Sequence, residues 1–163
     1  MPPALKRENV AIGAGIVTHI NGEILDDVVR WLRKVRPQTG SGAFLGAADE
    51  AYNAIRASTT DVAEIARSTG LKAENIQKVK DHLFNQQHLL DRYVKQGVPA
   101  ELRRFHSDIG IAQAWERLRT GKHTAADLQL LKHETAEAWY MRKNGPGYSE
   151  AHDAAQNRFP APK

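Results

Sequence analysis

Apolar residues recur along most of this 163-residue chain at intervals of three, four and seven positions, which is the spacing of an amphipathic helix. From residue 48 onward, this spacing predicts a series of helices. They cover residues 48–57, 61–67, 73–93, 107–118, 124–143 and 149–158. Because alternating β-branched residues are scarce after residue 20, we expect a mainly α protein that forms a compact multi-helix domain.

Residues that start and stop helices mark the ends of these segments. Ser107, Thr124 and Ser149 suit N-cap positions, where a hydroxyl accepts a hydrogen bond from a free backbone N–H group. Asp127 occupies the third helical position after Thr124, which makes a shorter-chain variant of the capping box. The sequence Asn-Gly-Pro-Gly at residues 144–147 ends the preceding helix, so the last helix can fold back against it.

The N-terminal part of the chain has a different pattern. Residues 10–20 are apolar and Gly-rich, and the Asn-Gly pair that follows is typical of a hairpin turn. Residues 24–35 then carry apolar positions at helical spacing. We therefore expect a lead-in or linker over residues 1–48, partly extended or a short hairpin with one helix. A helical domain follows over residues 49–163.

Composition narrows the chemistry. The chain has no Cys, which excludes a disulfide scaffold, a thiol nucleophile and a Cys-ligated metal site. No apolar run approaches the ~20 residues of a membrane span, and the N-terminus lacks the apolar core of a signal peptide. The formal net charge is +4 and the isoelectric point is about 9.4, which permits a polyanionic partner without requiring one.

The densest group of reactive residues lies in the sequence HETAEAWYM, residues 133–141. On a helix, His133 and Glu137 share a face, and Glu134 is a neighbour of Glu137. These side chains can ligate a divalent metal or supply a base with its orienting partner. The zinc-peptidase signature of two His four residues apart is not met, because Glu137 replaces the second His. The alternative is an amphipathic helix with a solvated polar face.

The last predicted helix adds Tyr148 and His152, four residues apart. If the Gly-Pro-Gly turn folds this helix back, His152 approaches Glu134 or Glu137. His133, Glu137 and His152 are then the residues that would hold a metal, if the protein uses one. The alternative places His152 on the surface and Tyr148 at the edge of the core.

Two further groups suit an anionic substrate. His88 and Arg92 share a helical face and resemble a phosphate-binding pair, and His88 can act as a general acid or base near neutral pH. His82 lies about 240° from His88 around the predicted helix, so both enter one site only if the helix bends. For His82, the preferred alternative is a position on the helix surface.

The second of these groups surrounds a helix start. Arg103 and Arg104 precede a helix N-terminus that can attract an anion, and Asp108 lies beside them. The alternative is capping of the helix by Ser107 and Asp108, with solvated arginines.

Residues 61–83 also resemble a helix-turn-helix, with two short helices joined by a Gly-containing turn. Its would-be recognition helix offers Lys72, Asn75, Gln77, Lys78 and Lys80. Any tight pair of short helices produces this pattern, and the second helix is longer than a DNA-reading helix requires. We therefore interpret the pair as structural and keep a DNA-binding protein as an alternative.

Taken together, residues 60–160 resemble a family of toxin modules. The order of motifs is IARSTGLKAENIQKVKDHLF, RRFHSD, IAQAWERLRTG, LLKHETAEAWYM and G-x-x-Y-x-x-A-H. This order is similar to a module at the C-terminal ends of bacterial polymorphic toxins of the Rhs, contact-dependent-inhibition and phage-head-associated types. The resemblance marks these positions: His82, His88, Asp108, Trp115, Leu131, His133, Glu134, Glu137, Tyr148 and His152.

The resemblance implies an effector that a delivery protein carries into the cytoplasm of a target cell, and a cognate immunity protein as partner. With the residue inventory, it leads us to expect a nuclease that cleaves RNA or DNA by His/Glu acid–base chemistry, with or without a divalent metal. The expected catalytic residues are His133, Glu134, Glu137, His152 and His88, and the expected substrate-binding residues are Arg92, Arg103, Arg104, Tyr148, His82 and Asp108. The alternatives are the helix-turn-helix protein and a non-catalytic interaction domain.

Overall fold

The structure is a computed structural model that describes residues 42–163, with side chains from residue 46 onward. The predicted hairpin or extended segment at residues 10–20 and the predicted helix at residues 24–35 lie outside the described residues. Among the described residues, no helix has both the length and the apolar character that a membrane crossing requires.

The described chain is mainly α, which confirms the predicted fold class. Its helices are α1 (Gly42–Ala57), α2 (Asp61–Thr69), α3 (Ala73–Lys80), α4 (Ile109–Arg119), α5 (Ala125–Asn144) and α6 (Tyr148–Arg158). A π-helical turn, Asp81–Asn85, continues α3, and a 3₁₀ turn covers Val94–Gln96. Strands β1 (His88–Leu90) and β2 (Glu101–Arg103) form an antiparallel pair in which His88 lies opposite Arg103.

The chain divides into two compact units. Among the described residues, the first contains residues 42–54 together with Ser107–Ala112, and the second contains Ile55–His106 and Gln113–Lys163. The predicted boundary after residue 48 stays a prediction. Every side chain of the His/Glu group on α5 and α6 belongs to the second unit.

In the first unit, the start of α4 differs from the prediction. Ser107 is not the N-cap, because its hydroxyl donates to Asp49 Oδ1. Asp108 caps the helix instead, since its Oδ1 accepts hydrogen bonds from the N–H groups of Gly110 (2.7 Å) and Ile111 (3.1 Å). Asp108 therefore acts as a helix cap, and its predicted role in substrate binding stays a prediction.

The second unit has a core built from the apolar faces of its helices. α5 packs against α6, α3 and the π-helical turn. The buried apolar residues of this unit are Ile65, Ile76, Val79, Leu83, Phe84, Ala114, Trp115, Leu118, Leu131, Ala138, Met141, Ala151 and Ala155. Ala151 and Ala155 share one face of α6, and their small side chains allow that helix to approach α5 closely.

The ends of α5 and α6 show which predicted caps form. The capping box between Thr124 and Asp127 is present, with each side chain accepting a hydrogen bond from the backbone N–H of the other. The prediction that Ser149 caps α6 is wrong, because α6 begins one residue earlier, at Tyr148. The backbone N–H of Ser149 donates to Asp91 Oδ1 at 2.8 Å. A carboxylate that is distant in sequence therefore accepts a hydrogen bond from one of the free N–H groups at the start of α6.

The predicted helix over residues 73–93 is also wrong in its second half. α3 and the π-helical turn end at Asn85, and the chain then becomes extended and forms β1. Strand β1 pairs with β2, and the N–H of Leu89 donates to the carbonyl of Pro146 at 2.8 Å. These hydrogen bonds join segments that are distant in sequence, and the helical spacing of apolar residues carries no information about them.

A buried ion pair connects three helices beside this core. Lys80 Nζ lies 2.8 Å from Asp61 Oδ1, and Trp115 Nε1 donates to Asp61 Oδ2 at 2.9 Å. The ammonium also donates to the carbonyl of Ser58 at 2.7 Å. Lys80 is therefore not available to DNA, contrary to its place in the helix-turn-helix alternative.

Removal of one partner from this pair tests its contribution to stability. Asp61→Ala leaves the Lys80 ammonium buried without its carboxylate, so we expect the free energy of unfolding to fall by about 3–5 kcal/mol. The control is Glu74→Ala, which breaks the exposed Glu74–Lys78 pair and should change stability little. Urea denaturation of both variants measures the difference. A loss below about 1 kcal/mol for Asp61→Ala would contradict the role given to the pair.

Candidate active site

Glu137 lies at the centre of the His/Glu group and is almost fully buried. Its Oε1 accepts a hydrogen bond from His82 Nε2 at 2.9 Å, and its Oε2 accepts one from His152 Nδ1 at 3.0 Å. His133 Nε2 lies 3.5 Å from the same Oε2. One carboxylate therefore contacts imidazoles from three separate segments of the chain. We call these four residues and Glu134 the Glu137 cluster.

Helices α5 and α6 supply most of the cluster. His133, Glu134 and Glu137 come from α5, where the spacing of three and four residues places them on neighbouring positions. Helix α6 folds back against α5, which brings His152 into contact with Glu137 and leaves its ring only partly exposed. The structure therefore brings together His133, Glu137 and His152, the three residues that the sequence analysis predicts as ligands if the protein binds a metal.

The π-helical turn brings His82 into the cluster. The wider turn is closed by a hydrogen bond from the N–H of Gln86 to the carbonyl of Asp81, five residues earlier. His82 is only 1% exposed, so the preferred alternative of a helix-surface residue is wrong. Apolar spacing cannot indicate a π-helical turn, and the resemblance was the one feature of the sequence that pointed to this position.

His88 reaches the cluster by a route that the sequence did not indicate. It lies on β1, and its Nε2 donates to the carbonyl of His82 at 2.7 Å while the two rings are 4.6 Å apart. The 240° separation expected on one long helix does not apply, because the helix ends before His88. As a result, both residues lie beside the same site.

Phe105 is a further member of the site that no sequence pattern singled out. Its ring stacks on His88 at 4.3 Å between centroids and contacts the edges of His82 (5.4 Å) and Tyr148 (5.0 Å). The one available signal was its position in the sequence RRFHSD, between basic residues and a His. The Phe105 ring therefore packs against the side chains of His82, His88 and Tyr148 and restricts their orientation.

Backbone carbonyls determine which nitrogen of two imidazoles carries a proton. His133 Nδ1 donates to the carbonyl of Phe159 at 2.8 Å, so in the neutral ring the lone pair is on Nε2, which faces Glu137. His88 donates through Nε2 to His82, so its neutral ring has the lone pair on Nδ1. The orientation of both rings is therefore set by the fold and not by solvent.

The two glutamates have opposite electrostatic environments. Burial raises the pKa of Glu134, and the negative charge of Glu137 raises it further. Burial also acts to raise the pKa of Glu137, but hydrogen bonds from His133, His82 and His152 outweigh it, so the pKa is lowered. Glu137 is thus the ionised member of the pair, and Glu134 is the member that retains a proton more readily.

The neighbouring groups respond to the same environment. Burial is the main cause that lowers the pKa of His88 and raises the pKa of Tyr148, whose phenol also faces the charges of Glu137 and Glu134. For His133, burial acts to lower the pKa, but hydrogen bonds with Glu137 and the Phe159 carbonyl raise it overall. Separated pKa values within one cluster are typical of acid–base sites.

Access to the cluster is from the side of His152. The side chain of His152 is 20% exposed, whereas those of His133 and Glu137 are 1% and 2% exposed. The Tyr148 hydroxyl lies 3.3 Å from His152 Nδ1, at the same side. A substrate or a water molecule would therefore meet His152 and Tyr148 first.

The predicted substrate-binding arginines have different surroundings. Arg92 lies near Tyr148, whose pKa its positive charge acts to lower, and it forms an exposed ion pair with Asp153 at 3.7 Å. Arg104 donates to the carbonyl of Asn85 at 3.1 Å, at the end of the π-helical turn. Arg103 lies opposite His88 in the strand pair and contacts Glu101 and His106.

Two sets of side chains have donor atoms close enough to hold one metal ion. Among the described residues, the first is His133, Glu137 and His152, and the second is His82, Glu134 and Glu137. In each set, the ligand atoms lie within 4.8 Å of one another. Glu137 belongs to both sets through different oxygen atoms, because Oε2 faces His133 and His152 while Oε1 faces His82.

The raised pKa of Glu134 gives a testable pH dependence. Above pH 4.5, the ordinary pKa of this side chain, the unfolded chain loses the proton that the folded chain keeps, so the contribution of Glu134 to the free energy of unfolding falls as pH rises. Glu134→Gln keeps the shape of the side chain but removes its ionisable carboxyl group. The wild type should lose free energy of unfolding on the order of 1 kcal/mol per pH unit through Glu134, and the variant should not show this loss.

The measurement is the difference between the wild type and the variant in chemical denaturation between pH 4.5 and 6.5, below the window in which His133 loses its proton. The lowered pKa of His88 also acts in this range, with stability rising as pH rises, but it contributes equally to both proteins. The lowered pKa of Glu137 acts on the acid side of this range, where stability is lost as pH falls. Parallel curves of stability against pH for the wild type and Glu134→Gln would contradict a raised pKa for Glu134.

Comparison of the chain with protein-family models, with curated proteins and with solved structures gives no match to any of them. The chemistry of the Glu137 cluster itself is therefore the basis for a functional proposal.

Proposed function

We propose that this protein is a hydrolase that cleaves phosphodiester bonds in RNA or DNA at the Glu137 cluster. The observation that carries the proposal is the contact between Glu137 Oε2 and His152 Nδ1 at 3.0 Å. A buried carboxylate that orients a partly exposed imidazole is the arrangement by which enzymes activate a water molecule or a hydroxyl group. The remaining members of the cluster surround this pair.

The other side chains supply complementary functions. Glu134, with its raised pKa, can hold a proton for transfer to a leaving oxygen. Tyr148 keeps its phenolic proton because its pKa is raised, so its hydroxyl can donate a hydrogen bond to a developing negative charge. His82 orients Glu137 from the buried side through its hydrogen bond to Oε1.

Positive charge beside the opening favours a phosphate substrate. The ion pair between Arg92 and Asp153 is long and exposed, so it contributes little energy and a phosphate group can replace Asp153. A guanidinium can bind two phosphate oxygens at once. The net charge of +4 adds a long-range attraction to a polyanion.

The resemblance to polymorphic toxin modules supports a biological setting for this activity. In that setting, the protein is an effector that acts in the cytoplasm of a target cell, and a cognate immunity protein protects the producer. Nucleic acid is a substrate that would be present in any such cytoplasm. The toxin setting and the immunity partner belong to the proposal together with the nuclease activity.

Cleavage of tRNA and plasmid DNA by the purified protein tests the activity. We expect the wild type to cleave one of these substrates and Glu137→Gln to lose about 100-fold or more in rate, because Gln cannot act as the ionised partner of His152. His152→Ala is a second variant at a less buried position. Glu74→Gln, on an exposed face of α3, is the matched control and should keep the wild-type rate.

Circular dichroism and thermal melting must show that the variants remain folded. Each reaction is run with and without a chelator, which separates metal-assisted cleavage from cleavage by side chains alone. Absence of cleavage of both substrates in both conditions would refute the proposed activity.

Growth of a bacterial host tests the toxin setting. We expect induced expression of the wild type without a protective partner to arrest growth, and we expect His133→Ala to relieve the arrest because the cluster loses one imidazole. Immunoblotting checks that both proteins accumulate to the same level. Equal growth with both proteins, or equal arrest by both, would contradict the setting or the role of the cluster.

A further inference from the structure

We infer that His133, Glu137 and His152 form a binding site for a single Zn²⁺ ion, with His133 Nε2, Glu137 Oε2 and His152 Nδ1 as ligands. The evidence for zinc binding is the geometry of these three atoms. Its catalytic meaning rests on the proposed function in its metal-assisted form. With the ion bound, His152 Nδ1 would lose its proton and ligate zinc, and the ion would replace the hydrogen bond between His152 Nδ1 and Glu137 Oε2.

The distances between the three ligand atoms fit one tetrahedral ion. They are 3.4 Å from His133 Nε2 to His152 Nδ1, 3.5 Å from His133 Nε2 to Glu137 Oε2, and 3.0 Å from His152 Nδ1 to Glu137 Oε2. Zinc bonds to nitrogen and oxygen of ~2.0–2.1 Å in a tetrahedral site place the ligands about 3.3 Å apart. Two of the three distances are longer than a good hydrogen bond, but all three suit a shared cation.

The lone pairs of the ligands are directed by neighbouring groups. His133 Nδ1 donates to the carbonyl of Phe159, which leaves the Nε2 lone pair facing Glu137 and His152. His82 donates to Oε1 of Glu137, which leaves Oε2 for another partner. Metal-binding His and carboxylate side chains in proteins are commonly oriented by such hydrogen bonds.

The second set, His82, Glu134 and Glu137, is less suitable. His82 Nε2 and Glu137 Oε1 are 2.9 Å apart, which is an ordinary hydrogen bond, and His82 Nε2 and Glu134 Oε2 are 3.6 Å apart. All three residues are buried, so the set offers no open coordination position. The set with His152 includes a ligand that is 20% exposed and therefore leaves room for a water ligand.

The ligand types favour zinc over Mg²⁺ and Ca²⁺. Two imidazoles and one carboxylate with an open fourth position are the pattern of catalytic zinc sites, whereas Mg²⁺ and Ca²⁺ prefer oxygen ligands. Zinc lowers the pKa of a bound water molecule to ~7, so hydroxide forms at neutral pH. The hydroxide oxygen would then bond to phosphorus, one P–O ester bond would break, and the proton released by the water would end on the leaving oxygen.

Zinc binding by the full-length, tag-free chain tests the inference. The protein is treated with a chelator, dialysed, and titrated with Zn²⁺ against a chromophoric zinc chelator. We expect one zinc ion per chain, no comparable binding of Mg²⁺, and a Co²⁺ complex with the intense visible absorption of four-coordinate cobalt. A folded wild type that binds no zinc would overturn the site.

Three variants locate the ion. His152→Ala removes a ligand from the more exposed side of the cluster and should weaken zinc binding by more than about 100-fold. His82→Leu removes the hydrogen bond to the ligand carboxylate, because Leu has no donor, and should weaken zinc binding by about 10- to 100-fold. His106→Ala changes an exposed imidazole outside the cluster and should have no effect. Wild-type affinity in His152→Ala would overturn the assignment, because the ion would then lie elsewhere.

The binding assay needs no substrate, so its outcome is separate from that of the nuclease assay. Zinc binding without cleavage of tRNA or plasmid would leave the site in place and refute the proposed reaction. Cleavage that persists with chelator in a protein that binds no zinc would refute the zinc site and leave the proposed reaction in place.

Discussion

Burial of the Glu137 carboxylate is the constraint on which the rest of the second unit depends. An ionised carboxylate inside a protein is costly unless it is paired and hydrogen-bonded. The chain meets this requirement with imidazoles from the π-helical turn, from α5 and from α6. Because these segments are distant in sequence, the same contacts that compensate for burial of Glu137 also hold the three segments together, and a change at Glu137 would disturb both the site and its surroundings.

Irregular backbone makes this arrangement possible. A regular helix through residues 73–93 would place His82 and His88 on different faces, whereas the π-helical turn and the extended strand that follows bring both rings to one site. At the other side, the turn at residues 144–147 lets α6 return along α5, and its Pro146 carbonyl accepts a hydrogen bond from Leu89. Helix ends and turns, more than helix faces, therefore position the side chains in and beside the Glu137 cluster.

Two of the buried ionic groups in this unit have different surroundings. Lys80 and Trp115 both donate hydrogen bonds to Asp61, and the three side chains offer almost no surface to solvent, which suits a structural role. The Glu137 cluster instead includes one ligand-type atom on a partly exposed ring, and two of its contacts are longer than ordinary hydrogen bonds. The first group is therefore enclosed by the protein, whereas the second includes one imidazole that solvent can reach.

The sequence by itself determined the local features of this protein. It determined the mainly α class, the capping box of Thr124 and Asp127, and the shared face of His133, Glu134 and Glu137, because helical periodicity and caps depend on residues a few positions apart. Only the tertiary structure decided that His82 is buried against Glu137, that His88 lies on a strand, and that Phe105 stacks beside them. Strand pairing and the compensation of a buried charge depend on groups far apart in the chain, and these become neighbours only when the chain folds.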